Sequence, residues 1–241
     1  MAIAAILVGG LLVWIVFFSS DAPSAPTIDD AAAVVSASPA ADATVLAGSA
    51  ADTPALEGNS DGTWTVDTGI GDVSRGTSSY VGFRVAEVLD RIGQSEAIGR
   101  TPAVGGVLEL AGSTLESATV EADLRQLRSD RSRRDPAIHR ALQTRDFPDA
   151  RFESSGPIEL DVIPANGETI EVTVPGRLTV RGVSRDVEAD MSVRRVNDVV
   201  VVGSLPVDFT SFGVAMPRAP IVVSVSNEGD LEWQLFFRRD R

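Results

Sequence analysis

Side chains that could carry out chemistry are few in this sequence, and they do not form a recognisable set. His139 is the only histidine and the chain has no cysteine. A metal site or a histidine-based catalytic triad therefore lacks its usual components. The many aspartates and glutamates alternate with apolar residues, as on the solvent-facing side of β-strands. We predict no catalytic residue, no metal ion and no cofactor.

Arginine is the charged residue type that is concentrated in one short stretch. Between residues 125 and 151 there are eight arginines against four acids. A solvated loop and helix surface is the plainest interpretation, and an ion pair between Arg134 and Asp135 would fit it. The functional alternative is contact with anionic lipid head groups. For that alternative, the candidate head-group contacts are Arg133, Arg134 and His139.

The charge of the chain is unevenly distributed. Within the net charge of −13, residues 1–74 contribute nine acids and no base, whereas residues 75–241 contain 25 acids against 21 arginines. The C-terminal part is thus close to balanced, which argues against nucleic acid as a partner. With 241 residues, 44% of them hydrophobic, the chain has room for one large folded domain and appendages.

One short helix is predicted within residues 133–158, in a chain that otherwise has the pattern of strands. Asp135 is a suitable N-cap, and Pro136 fits the first helical position because its missing N–H costs nothing there. Ile138 and Leu142 are four residues apart, so they form one narrow apolar stripe. A single helix between strands indicates a lid or plug on a β structure.

From Thr63 onward, apolar and polar residues alternate with a period of two, which predicts strands with one buried face. Many short strands joined by tight turns indicate an antiparallel sandwich or barrel. The run Val199–Val202 is apolar on both faces, so we expect a cover on its outer side as well. The turn signals are Gly105-Gly106, Asn166-Gly167, Asn197-Asp198 and Asn227-Glu228-Gly229. Glycines that fit bends or close approaches in a closing barrel are Gly176, Gly182, Gly203 and Gly213.

The N-terminal residues 1–20 are predicted to be a transmembrane anchor. Residues 2–18 contain no charged or strongly polar side chain, and as a helix they would be about 26 Å long, the short end of a membrane span. A cleaved signal peptide and a buried core helix are the alternatives. We expect the rest of the chain outside the cytoplasm, as a single-pass membrane protein, or secreted if the segment is cleaved.

The next segment, residues 21–62, is predicted to be a flexible linker. It is rich in Ala, Ser, Pro and Asp and has almost no large side chains. Such a composition buries too little apolar area to offset the entropy of ordering. As a coil it would reach roughly 35 Å, so residues 63–241 are expected to fold as a domain held near a membrane.

Several short motifs occur in order between Trp64 and Phe237. They are Trp64-x-x-Asp67, Arg134-Asp135 through Asp146-Phe147-Pro148 to Phe152-Glu153-Ser154, Gly176-Arg177-Leu178-Thr179-Val180-Arg181-Gly182-Val183-Ser184-Arg185, and Asp208-Phe209-Thr210-Ser211-Phe212-Gly213-Val214. In order and spacing they resemble the YceI-like family of lipocalin-like, polyisoprenoid-binding proteins. No single motif is decisive, but together they cover the whole predicted domain.

The resemblance implies an all-β fold, an eight-stranded antiparallel lipocalin-like barrel around an elongated apolar pocket, with a short helix at its mouth. Two positions depart from the family pattern. Glu87 stands where a histidine is frequent, and Phe209 stands where an arginine is frequent. Both changes remove polar groups that would hold a ligand head, so the head group is left open.

We therefore expect a non-catalytic, extracytoplasmic protein that binds a polyisoprenoid or another long-chain lipid, as a carrier or a sequestering module. An apolar lining needs no hydrogen-bond partners in its ligand. The alternative is a filled barrel that acts through its outer surface as an envelope-stress or protein-interaction module, with an unknown protein partner. The residues expected to line the pocket are Val81, Phe83, Val85, Phe152, Leu178, Val180, Phe209, Phe212 and Val223.

Overall fold

The structure is a computed structural model that describes residues 22–37, 60–196, 198–217 and 221–240. Within these ranges no helix is both long and apolar enough to cross a membrane. The predicted anchor, residues 1–20, lies outside the described residues, and so does most of the predicted linker.

Twelve strands and two α-helices make up the described chain. The helices are α1 (Ile28–Ala37) and α2 (Asp135–Leu142). The strands are β1 (Gly62–Val66), β2 (Tyr80–Leu89), β3 (Gly93–Thr101), β4 (Val104–Ala111), β5 (Thr114–Asp123), β6 (Arg128–Ser129), β7 (Asp149–Ser154), β8 (Ile158–Glu159), β9 (Thr169–Val180), β10 (Val183–Val196), β11 (Asp198–Asp208) and β12 (Val222–Arg239). Short 3₁₀-helices cover Val73–Arg75, Leu124–Gln126, Ser132–Arg134 and Phe209–Phe212.

The strands close into an antiparallel barrel. The hydrogen-bonded order β1-β4-β5-β7-β9-β10-β11-β12 contains eight strands, and β12 also pairs with β1, which completes the ring. Strand β2 pairs with β12 along the same edge that β1 joins further on, and β3 and β6 follow β2. The predicted eight-stranded antiparallel barrel is confirmed, since closing a sheet satisfies the edges that an open one would expose.

Strand β12 differs from its prediction. The sequence suggests two strands with a turn at Asn227-Glu228-Gly229, but β12 is one strand of 18 residues. Its pairing with β2 shifts register between Val222 and Ser224 and again between Val225 and Gly229. A bulge inserts extra residues into one strand and changes which face the following side chains occupy. The predicted turn is therefore a bulge, and the predicted turn at Gly105-Gly106 lies inside β4.

Helix α2 covers one end of the barrel. Ile138 is buried with Leu124 and Leu127, and Leu142 packs against the core at the β9–β10 hairpin. The predicted N-cap differs from the structure. Asp135 is the first helical residue, and its carboxylate accepts hydrogen bonds from the backbone N–H and the hydroxyl of Ser129 at 2.9 and 2.7 Å. The carboxylate therefore ties the helix to β6.

Helix α1 lies in the segment that we predicted to be a flexible linker. Thr27 caps its N-terminus, because its hydroxyl oxygen accepts from the backbone N–H of Asp30 and its O–H donates to the Asp30 carboxylate. Ala31 and Val35 then face the barrel. The linker prediction is wrong for residues 28–37. A narrow face of small apolar side chains holds this helix in place, because a matching apolar surface is available to cover it.

That matching surface is the outer face of β11 and β12. Val200, Val202 and Phe236 pack there with Ile70 against α1. Val200 and Phe236 are 0% exposed. The expected outer cover over Val199–Val202 is thus present, and it is a piece of the same chain.

A buried charge cluster holds the residues before α1 in place. The Glu232 carboxylate is 2% exposed and accepts hydrogen bonds from Arg84 and Arg100. A second N–H group of each guanidinium donates to the N-terminal segment: Arg84 to the carbonyl of Pro23 at 2.7 Å and Arg100 to the carbonyl of Ser24 at 3.1 Å. These bonds satisfy donors that the single carboxylate leaves free.

Candidate functional site

An apolar cavity of about 240 Å³ runs through the barrel. Its wall includes Leu142 and Phe212 at the α2 end and Ile163 and Arg195 at the opposite end. Along β9, the lining side chains lie between residues 170 and 180. Ten residue steps correspond to about 33 Å of strand, or roughly 25 Å along the axis at the usual tilt of barrel strands. The cavity is therefore elongated.

Aromatic rings lie flat against the cavity wall because glycines make room for them. A Cβ atom at Gly176 would come within 2.4 Å of the Phe152 ring, and one at Gly203 would come within 2.4 Å of the Trp233 ring. Any larger residue at these glycines would push the ring towards the cavity. The ring and glycine pairs are Phe83 with Gly99, Phe152 with Gly176 and Trp233 with Gly203.

A capped 3₁₀-helix places two more rings in the wall. The Asp208 carboxylate accepts hydrogen bonds from the hydroxyl and backbone N–H of Thr210 at 2.6 and 2.8 Å. The hydrogen bond from the Thr210 side chain, followed by that from its backbone, holds the pKa of Asp208 below its ordinary value. Phe209 and Phe212 follow this cap and line the cavity, and Phe209 meets Phe83 edge to face at 6.3 Å.

A family model described as the YceI-like domain matches residues 64–237 of this sequence. The chain belongs to the YceI-like family. The resemblance that the motifs suggested is therefore confirmed, and the matched region coincides with the barrel.

Two solved structures are similar to this YceI-like chain in fold. A polyisoprenoid binding domain from Saccharophagus degradans, implicated in plant cell wall breakdown, shares 15% identity at a TM-score of 0.55, over 74% of this chain and 98% of that one. Burkholderia cenocepacia BcnA shares 18% identity at a TM-score of 0.50, over 68% and 98%. At these identities the similarity concerns the fold alone. No curated protein matches this chain significantly in sequence.

The YceI-like barrel brings most of the predicted lining residues together. The predicted residues found in the cavity wall are Val81, Phe83, Phe152, Leu178, Val180, Phe209 and Phe212. They come from β2, β7, β9 and the 3₁₀-helix after β11. Alternation along single strands thus identified side chains that meet only in the closed barrel.

Two predicted lining residues lie elsewhere. Val85 is buried but does not reach the cavity wall. Val223 is 67% exposed near the start of β12. Its assignment to the pocket is corrected, because the register shifts in β12 break the alternation from which that face was read.

The arginine of the family motif is engaged in ion pairs. Arg134 contacts the buried Glu87 carboxylate, and its other terminal nitrogen lies 2.7 Å from Asp130. The expected pair with Asp135 does not form, since that carboxylate binds Ser129. Glu87, which departs from the family pattern, thus has a structural partner. Arg134 is a structural link between β2 and the segment before α2.

The other two predicted head-group contacts also lie away from the cavity wall. Arg133 is exposed, and His139 is half-buried on α2. The His139 ring contacts the Thr144 hydroxyl at 3.2 Å and the Arg128 guanidinium at 3.5 Å. At this end of the barrel, α2 therefore closes the cavity without presenting these two side chains to it.

The cavity wall contains side chains that sequence reasoning did not select. Trp64, Met191 and Trp233 line it. Met191 and Trp233 belong to rows that alternate in the sequence, but they were not among the predicted lining residues. Arg195 lines it too, as the next inward position after Val193. Arg195 could have been found from the alternation on β10, because every second residue of this row points inward. In the described ranges, no three His, Asp or Glu side chains gather into a group that could hold a metal ion.

Proposed function

We propose that this YceI-like protein binds a polyisoprenoid or a similar long-chain lipid inside its barrel, as a carrier or a sequestering module without catalytic activity. The elongated apolar cavity is the observation that carries the proposal. It exceeds the roughly 150 Å³ that accommodates a benzene-sized ligand in an engineered cavity. Burial of an alkyl or prenyl chain would contribute about 25 cal/mol per Å² of apolar area.

The shape of the cavity favours a chain over a compact ligand. Its lining reaches from Phe212 to Arg195, so a ligand that fills it must be long and narrow. The similar domain from Saccharophagus degradans is described as polyisoprenoid binding. This description supports the same ligand class here.

The proposed location is outside the cytoplasm and close to a membrane. It rests on the apolar stretch of residues 2–18, which predicts an anchor. A binding protein for a water-insoluble chain needs access to the bilayer that contains this chain. Membrane attachment and lipid binding are therefore mutually consistent.

The test uses the full-length chain, because α1 packs on the barrel and belongs to the folded unit. The protein is purified from a bacterial host, and its bound lipids are extracted with organic solvent and identified by mass spectrometry. Native mass spectrometry of the unextracted protein gives the stoichiometry. We expect one prenyl-chain lipid per protein, and a protein that stays unliganded after incubation with such lipids would contradict the proposal.

A matched pair of variants relates the bound lipid to the cavity. Ala189 lines the cavity, whereas Ala86 is exposed on β2. Ala189→Phe should displace the lipid because the new ring occupies its space, and Ala86→Phe should leave the bound lipid unchanged. Equal lipid content in the two variants would instead indicate that the lipid binds outside the cavity, whereas the filled-barrel alternative predicts no bound lipid in either variant.

A further inference from the structure

Arg195 is a charged side chain in an otherwise apolar row. On β10 the inward positions recur at every second residue, and Ala189, Met191, Val193 and Arg195 all line the cavity. Arg195 is the last of them, at the end opposite α2. The row therefore ends in a guanidinium where the cavity reaches the end of the barrel.

The backbone of Arg195 is fixed by the loop that precedes β9. The N–H of Gly167 donates to the Arg195 carbonyl at 2.7 Å, and Asn166 forms an isolated bridge with the same residue. Ile163 and Pro164 of this loop also line the cavity. Arg195 thus stands on a strand that is tied to a neighbouring loop, beside apolar side chains.

The neighbouring residue Arg194, on the same strand, has a guanidinium with hydrogen-bond and ion-pair partners. Arg194 points to the outer face, where it forms an ion pair with Asp29 at 2.7 Å and donates to the Thr169 hydroxyl at 2.6 Å. For Arg195, no side-chain hydrogen bond or ion pair exists with any residue in the ranges that the structure describes. Its guanidinium carries five N–H donors and a full charge without a counter-charge beside it.

Other charged residues at the cavity wall do not share this property. Arg151 forms ion pairs with Glu121 and Glu153 on the outer face, and Glu232 is held by arginines on the same outer side. At the α2 end, Arg134 does not line the cavity and is neutralised by acids. Within the described chain, the charge that faces the cavity without a partner is therefore that of Arg195.

We propose that Arg195 binds the anionic head of the long-chain lipid, a phosphate being the class that fits best, while the chain extends towards Phe212. A guanidinium matches the oxygens of a phosphate with parallel charge-assisted hydrogen bonds. A neutral head, such as an alcohol or a quinone, would leave the positive charge at the cavity without a counter-charge. This assignment rests on the proposed lipid-binding function and adds the head group and its position to it.

The test compares three probes on the full-length protein: a polyprenyl monophosphate, the polyprenol of the same chain length, and inorganic phosphate. Dissociation constants are measured for the native sequence and for R195Q, R195K and R133Q. R133Q removes an exposed arginine at the α2 end, and R195K keeps the charge at residue 195. Thermal unfolding of each variant verifies that the barrel is intact.

We expect the native protein to bind the prenyl phosphate roughly 10- to 100-fold more tightly than the prenol, the range for a lost charge-assisted hydrogen bond. R195Q should abolish this preference without weakening the binding of the prenol, whereas R195K should retain most of the preference. R133Q should behave like the native protein, and inorganic phosphate should bind weakly everywhere.

Several results would overturn the assignment. A phosphate preference that survives in R195Q, or one that disappears in R133Q, would place the head elsewhere. Tight binding of inorganic phosphate would indicate an ion site that is independent of the chain. Equal binding of prenol and prenyl phosphate by the native protein would refute the head-group assignment while leaving the proposed function intact. Binding of neither lipid would refute both.

Discussion

The wall formed by β11 and β12 is apolar on both of its faces, and the two faces are packed differently. On the outer face, Val200 and Phe236 are 0% exposed beneath α1. On the inner face, Val201 and Leu235 border the cavity. One face is therefore filled by the chain itself, and the other faces a space that the chain does not fill.

The difference shows that residue type does not distinguish a core from a pocket. Valines, leucines and phenylalanines occur on both faces, and they would contribute the same free energy per unit of buried area. The outer face is closed because a segment of suitable length and small side chains is available to cover it. The inner face stays open because glycines keep the large rings against the wall.

The largest expected effect comes from the outer face. Phe236→Ala should lower the free energy of unfolding by about 3–5 kcal/mol, because it leaves a void between β12 and α1 that nothing nearby can fill. Urea unfolding measures the loss. The variant should still bind lipid under native conditions, since Phe236 does not line the cavity. A loss smaller than about 1 kcal/mol would mean that α1 is not held by this surface.

A glycine substitution on the inner face tests whether glycines keep the cavity open. Gly99→Ala would place a Cβ atom 2.4 Å from the Phe83 ring, so the ring must move towards the cavity. We expect a destabilisation of about 1–3 kcal/mol and weaker lipid binding. Gly105→Ala is the control, because a Cβ atom there meets nothing within 4 Å. If both variants bound lipid equally well, the flat packing of the rings would not determine the cavity.

A valine-to-alanine substitution on each face compares how tightly the two faces are packed. Val200→Ala should cost about 2 kcal/mol, as expected for a fully packed side chain. Val193→Ala, on the cavity wall, should cost less than about 1 kcal/mol because its methyl groups already face open space. Equal losses in urea unfolding would indicate that the cavity is as tightly packed as the core.

The smallest effect concerns the cap that holds two rings in the inner wall. Because the pKa of Asp208 is lowered in the folded state, its charge stabilises the fold above the ordinary pKa of 3.8. This contribution is lost as the pH falls through the lowered folded pKa. D208N should therefore have a lower Tm than the native protein near neutral pH, and the difference should shrink as the pH falls below 3.8. A difference that is independent of pH would show that the charge plays no part.

Much of the barrel was accessible from the sequence. Alternation with a period of two identified the inward rows of β2, β5, β9 and β10, and the short motifs pointed to the family. The double-sided run Val199–Val202 also predicted an outer cover. These inferences succeeded because side chains on a strand alternate between faces whatever the neighbouring strands do.

Other features depend on contacts that no local pattern contains. The linker prediction missed α1, because this helix is stabilised by Val200 and Phe236, which are far away in the sequence. Val223 was misplaced because a bulge has no reliable sequence signal and reverses the faces beyond it. The closure of β12 onto β1 likewise follows from the complete sheet.

The hydrogen bonds from Arg84 and Arg100 to the carbonyls of Pro23 and Ser24 attach the N-terminal segment to the barrel close to residue 20. If residues 1–20 cross a bilayer, as their hydropathy predicts, only a few residues separate the lipid from the wall of β2 and β3. Three extended residues reach about 10 Å, far less than the coil expected from a flexible linker. Under that condition the barrel would lie close to the headgroup layer, on the side of β2 and β3.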